Sequence, residues 1–171
     1  VYANTVQSFS SQSAMIAGQH PPLTSFNWGA QGAEHDLPRL FAQGGYRTAC
    51  VSASHLTFAG RLQHLERSGF DVVDRPTGAS EYTDNSWGVD DRRAFDRVRT
   101  FLDAEPDRPA LVMAVTVSTH YPYDQSLPGV PDHPNPLNRY LSAIHYDDAQ
   151  IAGLAKWLAT RYLEEGVDMA Y

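Results

Sequence analysis

The first residue placed to do chemistry is Ser8, which opens a serine-rich segment ahead of a predicted helix ending at Gly18. A hydroxyl at a helix N-terminus lies where free N–H groups and the helix dipole favour an anion. Ser8 is therefore a candidate nucleophile whose phosphorylated or sulfated intermediate the helix would stabilise. Serine is also a common helix cap, and on position alone capping is the more frequent role.

The second candidate is His120, which follows the predicted strand Ala110–Val117 and precedes Pro122. Ligands of parallel α/β sheets bind beyond the carboxyl ends of the strands. At that place an imidazole can donate a hydrogen bond to an anionic substrate, carry a proton or add positive charge. A structural histidine at the strand end is an equally good interpretation of the position.

Arg61 and His55 lie beyond another predicted strand. The Arg61 guanidinium could hold phosphate or sulfate through paired hydrogen bonds, although a solvated arginine on a helix face is commoner. His55, at a strand-to-helix junction, could contact a substrate, although a polar turn residue is the commoner role. The single cysteine, Cys50, lies in the apolar run Tyr46–Ser52, which predicts a buried strand residue and not a nucleophile.

Alternating helices and strands must position these residues. Hydrophobic periodicity predicts helices over Ser10–Ala17, Asp36–Gln43, Leu56–Arg67, Asp90–Asp103 and Asn138–Glu164, with a break near Gly153 in the last. It predicts strands over Tyr46–Ser52, Phe70–Val73 and Ala110–Val117, the last covered on both faces. This order predicts an α/β fold with a mostly parallel sheet and helices on both faces.

The composition is that of a soluble globular protein: 171 residues, 42% hydrophobic and 19% charged, with a net charge of −7. The negative charge argues against a nucleic-acid partner, because phosphate backbones need a basic face. A few local positive groups can still hold an anionic ester. No stretch approaches the ~20 apolar residues of a membrane span.

The segment Ser8–Gly18 resembles the nucleophile block of the sulfatase-like family within the alkaline phosphatase superfamily. That block places a Cys, Ser or Thr ten residues before a glycine, and in sulfatases it reads C-x-P-S-R-…-T-G. Ser8 takes the nucleophile position and Ser11 matches the serine, whereas Ser10 and Gln12 replace the proline and the arginine. Formylglycine maturation relies on the sulfatase motif, so a plain serine is more similar to the lipoteichoic acid synthase–phosphoglycerol transferase branch.

Further segments resemble motifs of that branch in the same order along the chain. They are Leu37–Ala49 (L-x-x-L-x-x-x-G-Y-x-T-A), Thr57–Arg61 (T-F-W-N-R), Ser68–Asp71 (G-[FY]-D), Trp87–Asp91 (W-G-[LV]-x-D), Val115–Tyr123 (T-x-S-x-H-x-P-[FY]) and Tyr140–Asp148 (Y-x-x-A-x-x-Y-x-D). Arg61 matches a substrate-contacting arginine. Ala59 and Ser54 stand where the branch has tryptophan and aspartate.

The resemblance implies a metal-dependent hydrolase or transferase acting on phosphate or sulfate esters. Ser8 would be the nucleophile and a ligand of a divalent metal (Mn, Mg or Ca), and Arg61, His120 and His55 would bind the substrate, with His120 also catalytic. The alternatives are a sulfuric ester hydrolase proper, or a non-catalytic sulfatase-like domain that binds a glycan or an anionic lipid head group.

The resemblance also implies how much of a domain these residues form and where that domain lies in the cell. Residues 1–171 would be the central part of one sulfatase-like catalytic domain, with the remaining metal ligands on strands before Val1 and after Tyr171. We therefore expect these residues alone to be inactive. The domain would be extracytoplasmic in a membrane-anchored bacterial protein.

Overall fold

A parallel sheet forms the centre of the computed structural model, which describes residues 8–19, 35–77, 87–123 and 127–163. Its strands are β1 (Arg47–Ser52), β2 (Val72–Asp74) and β3 (Ala110–Val115), in the spatial order β2-β1-β3. Both pairings are parallel, and Ser52 at the end of β1 lies opposite Val115 at the end of β3. Every residue of β1 is buried, as its apolar run and central position predict.

Five helices surround the sheet in the described part of the chain. They are α1 (Ser8–Ala17), α2 (Leu37–Gln43), α3 (Arg61–Arg67), α4 (Asp91–Ala104) and α5 (Pro136–Leu158). A 3₁₀ turn over Phe58–Gly60 precedes α3, and a π-helical turn over Ala159–Leu163 follows α5. None of the described helices is both long and apolar enough to cross a membrane.

The two faces of β1 contribute to separate hydrophobic clusters because successive side chains of a strand point in opposite directions. Ala49 and Val51 pack with Val98 of α4, and partly buried Leu154 of α5 joins that cluster. Cys50 packs on the opposite face with Ile16 of α1 and with the α3 side chain Leu65. Each fully buried valine or leucine contributes about 1.5–3 kcal/mol. The predicted α/β fold with helices on both faces of a parallel sheet is confirmed.

The start of α3 corrects one prediction. We expected a helix over Leu56–Arg67, but Leu56, Ala59 and Gly60 have positive φ angles of 58°, 52° and 70°. A left-handed backbone cannot be part of a right-handed helix. Arg61 is consequently the first residue of α3 and lies directly after a tight turn.

The ends of β3 and α5 differ from prediction as well. β3 ends at Val115 and lies at an edge of the sheet formed by the described residues, so Ala114 is exposed and the expected cover on both faces is not seen there. An apolar groove of about 300 Å³ runs beside β3, with Met15, Leu37 and Met113 in its lining. The break expected near Gly153 is absent, because α5 continues without interruption to Leu158.

Arg47 joins the start of β1 to the end of α4. Its side chain is 5% exposed. It donates to the carbonyl oxygens of Phe101 at 2.8 Å, Leu102 at 3.3 Å and Glu105 at 2.9 Å. These carbonyls come at the C-terminus of α4, where helical acceptors lack partners within the helix.

Candidate functional site

The chain segments beyond the carboxyl ends of β1 and β3 lie side by side, because the two strands are parallel and adjacent. A short antiparallel bridge between Ser54 and Gly88 adds a third segment. The His55 N–H donates to the Trp87 carbonyl at 3.1 Å, and the Val89 N–H donates to the Ala53 carbonyl at 3.0 Å. The bridge brings the Trp87 side chain to this edge of the sheet.

Arg61 connects the end of β1 to α1. One guanidinium nitrogen donates to the Ser54 hydroxyl at 3.3 Å, and the other donates to the Gln12 amide oxygen at 3.1 Å. Burial lowers the pKa of Arg61, against an opposing effect of Cys50, but a guanidinium keeps its charge at any physiological pH. The site therefore contains one partly buried, permanent positive charge.

Ser8 lies one helical turn before Gln12, so the two side chains share a face of α1. Ser8 is the first residue of the helix and is exposed. Gln12, on that shared face, is the α1 residue that accepts the hydrogen bond from Arg61. A hydroxyl at the positive end of α1 and a guanidinium held one turn away could both interact with one anion.

His120 is exposed beyond β3, and its neighbours define its tautomer. Its Nδ1 lies 2.6 Å from the Tyr121 carbonyl oxygen. A carbonyl can only accept, so Nδ1 carries the proton and Nε2 of the neutral ring is the acceptor. Trp87 packs on the imidazole with ring centroids 4.3 Å apart and donates from Nε1 to the same Tyr121 oxygen at 3.0 Å. These two contacts orient the ring, with Nδ1 toward the Tyr121 carbonyl.

Phe58 links the two halves of the site. Its ring meets Trp87 edge-on at a centroid distance of 6.4 Å, and it lies in the 3₁₀ turn directly before Arg61. The predicted residue His55 borders the same bridge. Burial and the charge of Arg75 lower the pKa of His55, so it is neutral at pH 7.

Asp91 and Trp87 contribute to the site in ways that the sequence did not reveal. The fully buried Asp91 carboxylate accepts from the N–H groups of Val117 at 2.7 Å and Ser118 at 3.0 Å. Its own N–H donates to the Ser118 hydroxyl at 3.2 Å. The Trp87–Asp91 motif was the available signal, but it does not show which backbone groups the side chains bind.

The described residues do not by themselves fit a divalent metal. They contain no group of three or more His, Cys, Asp and Glu side chains that could hold one. Such metals take several oxygen or nitrogen ligands, with carboxylates among them. Ser8 is the ligand position that the resemblance implies among these residues.

The fold of the described residues is similar to those of two solved structures. The structure of lipoteichoic acid synthase LtaP from Listeria monocytogenes matches with a TM-score of 0.76, 19% identity and coverage of 92% of this chain and 41% of that one. A protein in the alkaline phosphatase superfamily from Vibrio parahaemolyticus matches with a TM-score of 0.63, 19% identity and coverage of 86% and 40%.

The sequence profile named Sulfatase matches residues 2–167, and the chain belongs to the sulfatase family. Lipoteichoic acid synthase-like YvgJ from Bacillus subtilis (strain 168) is 26% identical over 140 residues, which are 77% of this chain and 22% of that protein. The chain thus spans about a fifth of this curated relative. The resemblance to the lipoteichoic acid synthase branch is confirmed. The family comprises hydrolases and transferases of phosphate and sulfate esters, and superfamily members generally use divalent metals.

Proposed function

We propose that the intact protein is a phosphoglycerol-transferase-type enzyme that transfers or hydrolyses phosphate or sulfate esters with Ser8 as its nucleophile. The observation that carries this proposal is the double hydrogen bond of Arg61. Its guanidinium reaches both Ser54 at the end of β1 and Gln12, one turn along α1 from Ser8. An oxyanion beside the Ser8 hydroxyl would meet this charge and the N-terminus of α1 together.

In the proposed reaction the Ser8 oxygen attacks phosphorus or sulfur, and the bond from that atom to the leaving ester oxygen breaks. Nε2 of the neutral His120 ring accepts the Ser8 proton and gives it to the leaving oxygen. Water or an acceptor hydroxyl then attacks the covalent intermediate, and its proton returns through Nε2 to Ser8 as the intermediate is released. Arg61 stabilises the negative charge in both steps, and His55 borders the substrate as a neutral polar group.

A divalent metal, Mn, Mg or Ca, belongs to this proposal. Ser8 is proposed as one of its ligands, with the others supplied from outside the described residues. Residues 1–171 are proposed to be the central part of one sulfatase-like catalytic domain, extracytoplasmic in a membrane-anchored bacterial protein. The substrate is an anionic ester.

Replacement of the sulfatase arginine by Gln12 favours the phospho-transfer branch over a sulfatase proper. Gln12 accepts a hydrogen bond from Arg61 at 3.1 Å. An arginine at position 12 would bring a second guanidinium against the first, and like charges at this distance repel. The positive group of the site is therefore supplied by α3 and not by α1.

The test compares Ser8→Ala with Ser10→Ala in the full-length protein, using an aryl phosphodiester, an aryl phosphate and an aryl sulfate. We expect Ser8→Ala to lose turnover by more than about 10³-fold because no covalent intermediate can form, whereas Ser10→Ala stays within about tenfold of wild type. Turnover by Ser8→Ala within about tenfold of wild type would refute the role of Ser8. Binding of all three esters by wild type without turnover would indicate a binding domain.

A further inference from the structure

The two consecutive aspartates at the start of α4 meet a tyrosine–aspartate pair of α5. Tyr146 donates from its hydroxyl to Asp90 at 2.8 Å, and the side chain of Asp147 is hydrogen-bonded to that of Asp91. Two carboxylates cannot form a hydrogen bond to each other, because neither has a proton to donate. One member of the Asp91–Asp147 pair must therefore be protonated.

The other contacts of the pair decide which member that is. Both oxygens of Asp91 accept backbone N–H groups, from Val117 and Ser118, and such bonds favour an ionised carboxylate. The Oδ1 atom of Asp147 is buried and has no hydrogen-bond partner among the described residues. Asp147 is consequently the member that carries the proton and donates it to Asp91.

We propose that the proton shared by Asp147 and Asp91 holds α5 against the segment that leads to His120, so that Asp147 is a positioning residue for His120. Asp91 binds the backbone of Val117 and Ser118, and the His120 N–H donates to the Val117 carbonyl at 2.9 Å. The path from α5 to the His120 backbone thus consists of three consecutive hydrogen-bonded steps. Because His120 enters the proposed reaction, the catalytic part of this inference rests on the proposed function.

The charges around the pair determine when the proton is lost. Burial, followed by the negative charge of Asp91, raises the pKa of Asp147 to about 7, and burial also raises the pKa of Asp91. Among the described residues, charged and polar groups surround the Asp91–Asp147 pair from both helices and from the end of β3. They are Asp90, Arg92, Arg93, Tyr146, Asp148, the N–H groups of Val117 and Ser118, and the Ser118 hydroxyl. The two arginines lie against Asp90, at 3.8 and 3.5 Å.

The contacts of Asp147 determine whether its proton stabilises the fold at low or at high pH. A free aspartate has a pKa of about 3.9, so between about pH 4 and 7 the folded protein binds a proton at Asp147 that the unfolded chain has released. The stabilisation from this proton is present at low pH and is lost as the pH rises through about 7. Above that pH two adjacent carboxylates repel, and α5 no longer holds the strand end.

Hydrogen–deuterium exchange of the full-length protein from pH 5.5 to 8.5 tests the pair without reference to activity. After correction for intrinsic exchange, we expect the backbone around Val117 and Ser118 to exchange about tenfold faster above pH 7 than below it, as for the loss of one charged hydrogen bond. In Asp147→Asn the rise should disappear, because the amide donates to Asp91 at every pH. A rise that persists in Asp147→Asn, or a wild-type profile without any rise, would overturn the proposal.

Asp148→Asn is the matched control, because it removes the neighbouring carboxylate and keeps the pair. Asp148 raises the pKa of Asp147, so this variant should keep the rise and shift its midpoint to lower pH. An unchanged midpoint would count against the proposal even if Asp147→Asn failed to fold. In ester turnover, the wild type should lose kcat above pH 7 and Asp147→Asn should not. Absence of turnover in every variant would refute the proposed function, while the exchange profile would still decide the role of the pair.

Discussion

Gly88→Ala should destabilise the protein and displace Trp87 from His120. Gly88 forms the bridge with Ser54, and a Cβ atom at position 88 would lie 1.9 Å from the Ala53 carbonyl oxygen and 2.8 Å from the Ala53 carbonyl carbon. Both of these are backbone atoms, so no side-chain rotation can remove the overlap. The two segments must separate.

The loss of stability in Gly88→Ala has two sources. Separation weakens the two bridge hydrogen bonds, which are 3.1 and 3.0 Å long and contribute about 0.5–1.5 kcal/mol each. Crowding of one extra methyl group in a packed site adds about 1–3 kcal/mol. We therefore expect the free energy of unfolding to fall by about 2–6 kcal/mol. Displacement of Trp87 also releases the His120 ring. In the proposed reaction, misplacement of this ring by about 1 Å would lower kcat by about 10²-fold.

The measurement is urea unfolding of the full-length protein, followed by ester turnover of the folded variant. Gly153→Ala is the control, because Gly153 lies inside α5 and a Cβ there meets nothing closer than an Arg99 nitrogen at 3.9 Å. This control should stabilise the protein by about 0.5–1 kcal/mol through helix propensity. An unfolding free energy for Gly88→Ala within about 0.5 kcal/mol of wild type would show that the close approach to Ala53 does not constrain the site.

Three further predictions concern single side chains. Arg47→Met should lower the free energy of unfolding by about 2–4 kcal/mol, because three carbonyls at the end of α4 lose a buried donor. The control is Arg108→Met at an exposed position, which should stay within about 0.5 kcal/mol of wild type in the same urea titration. Cys50 is buried, and burial raises its pKa to about 12. At pH 8 a thiol reagent should therefore modify the native protein at least ~10³-fold more slowly than the urea-unfolded protein. Equal rates would contradict the buried position. Arg61→Lys keeps the charge but loses the paired donors, so kcat/KM should fall at least ~tenfold, and wild-type kinetics would remove Arg61 from the proposed site.

Local patterns predicted the layers of the fold well. The apolar run around Cys50 predicted a buried strand, and the amphipathic segment Asp90–Asp103 predicted α4 to within one residue at each end. The turn before Arg61 was missed because Leu56 and Ala59 adopt positive φ although neither is a glycine, and Gly60 alone does not show where the turn begins. The exposure of β3 was missed because an apolar run does not show how many strands flank it.

The sequence selected the candidate site residues but not their contacts. Position at a strand end and motif resemblance selected His120 and Arg61 from the sequence. The hydrogen bond from Arg61 to Gln12 joins residues 49 positions apart, and no periodicity links such a pair. Likewise, the sequence could not show that Asp91 binds the backbone ahead of His120, because that contact depends on how α4 packs against the end of β3.

The oxygen that orients His120 is a main-chain atom of Tyr121. The orientation of the imidazole and the chemistry of the surface beside it can therefore change independently. The Tyr121 carbonyl receives both the imidazole and the indole, while the Tyr121 side chain is 70% exposed. Substitution at position 121 can therefore alter the surface beside the histidine while its orienting acceptor is retained. If His120 acts as proposed, variation or laboratory selection at this one position would change the surface offered to substrates without disturbing the histidine.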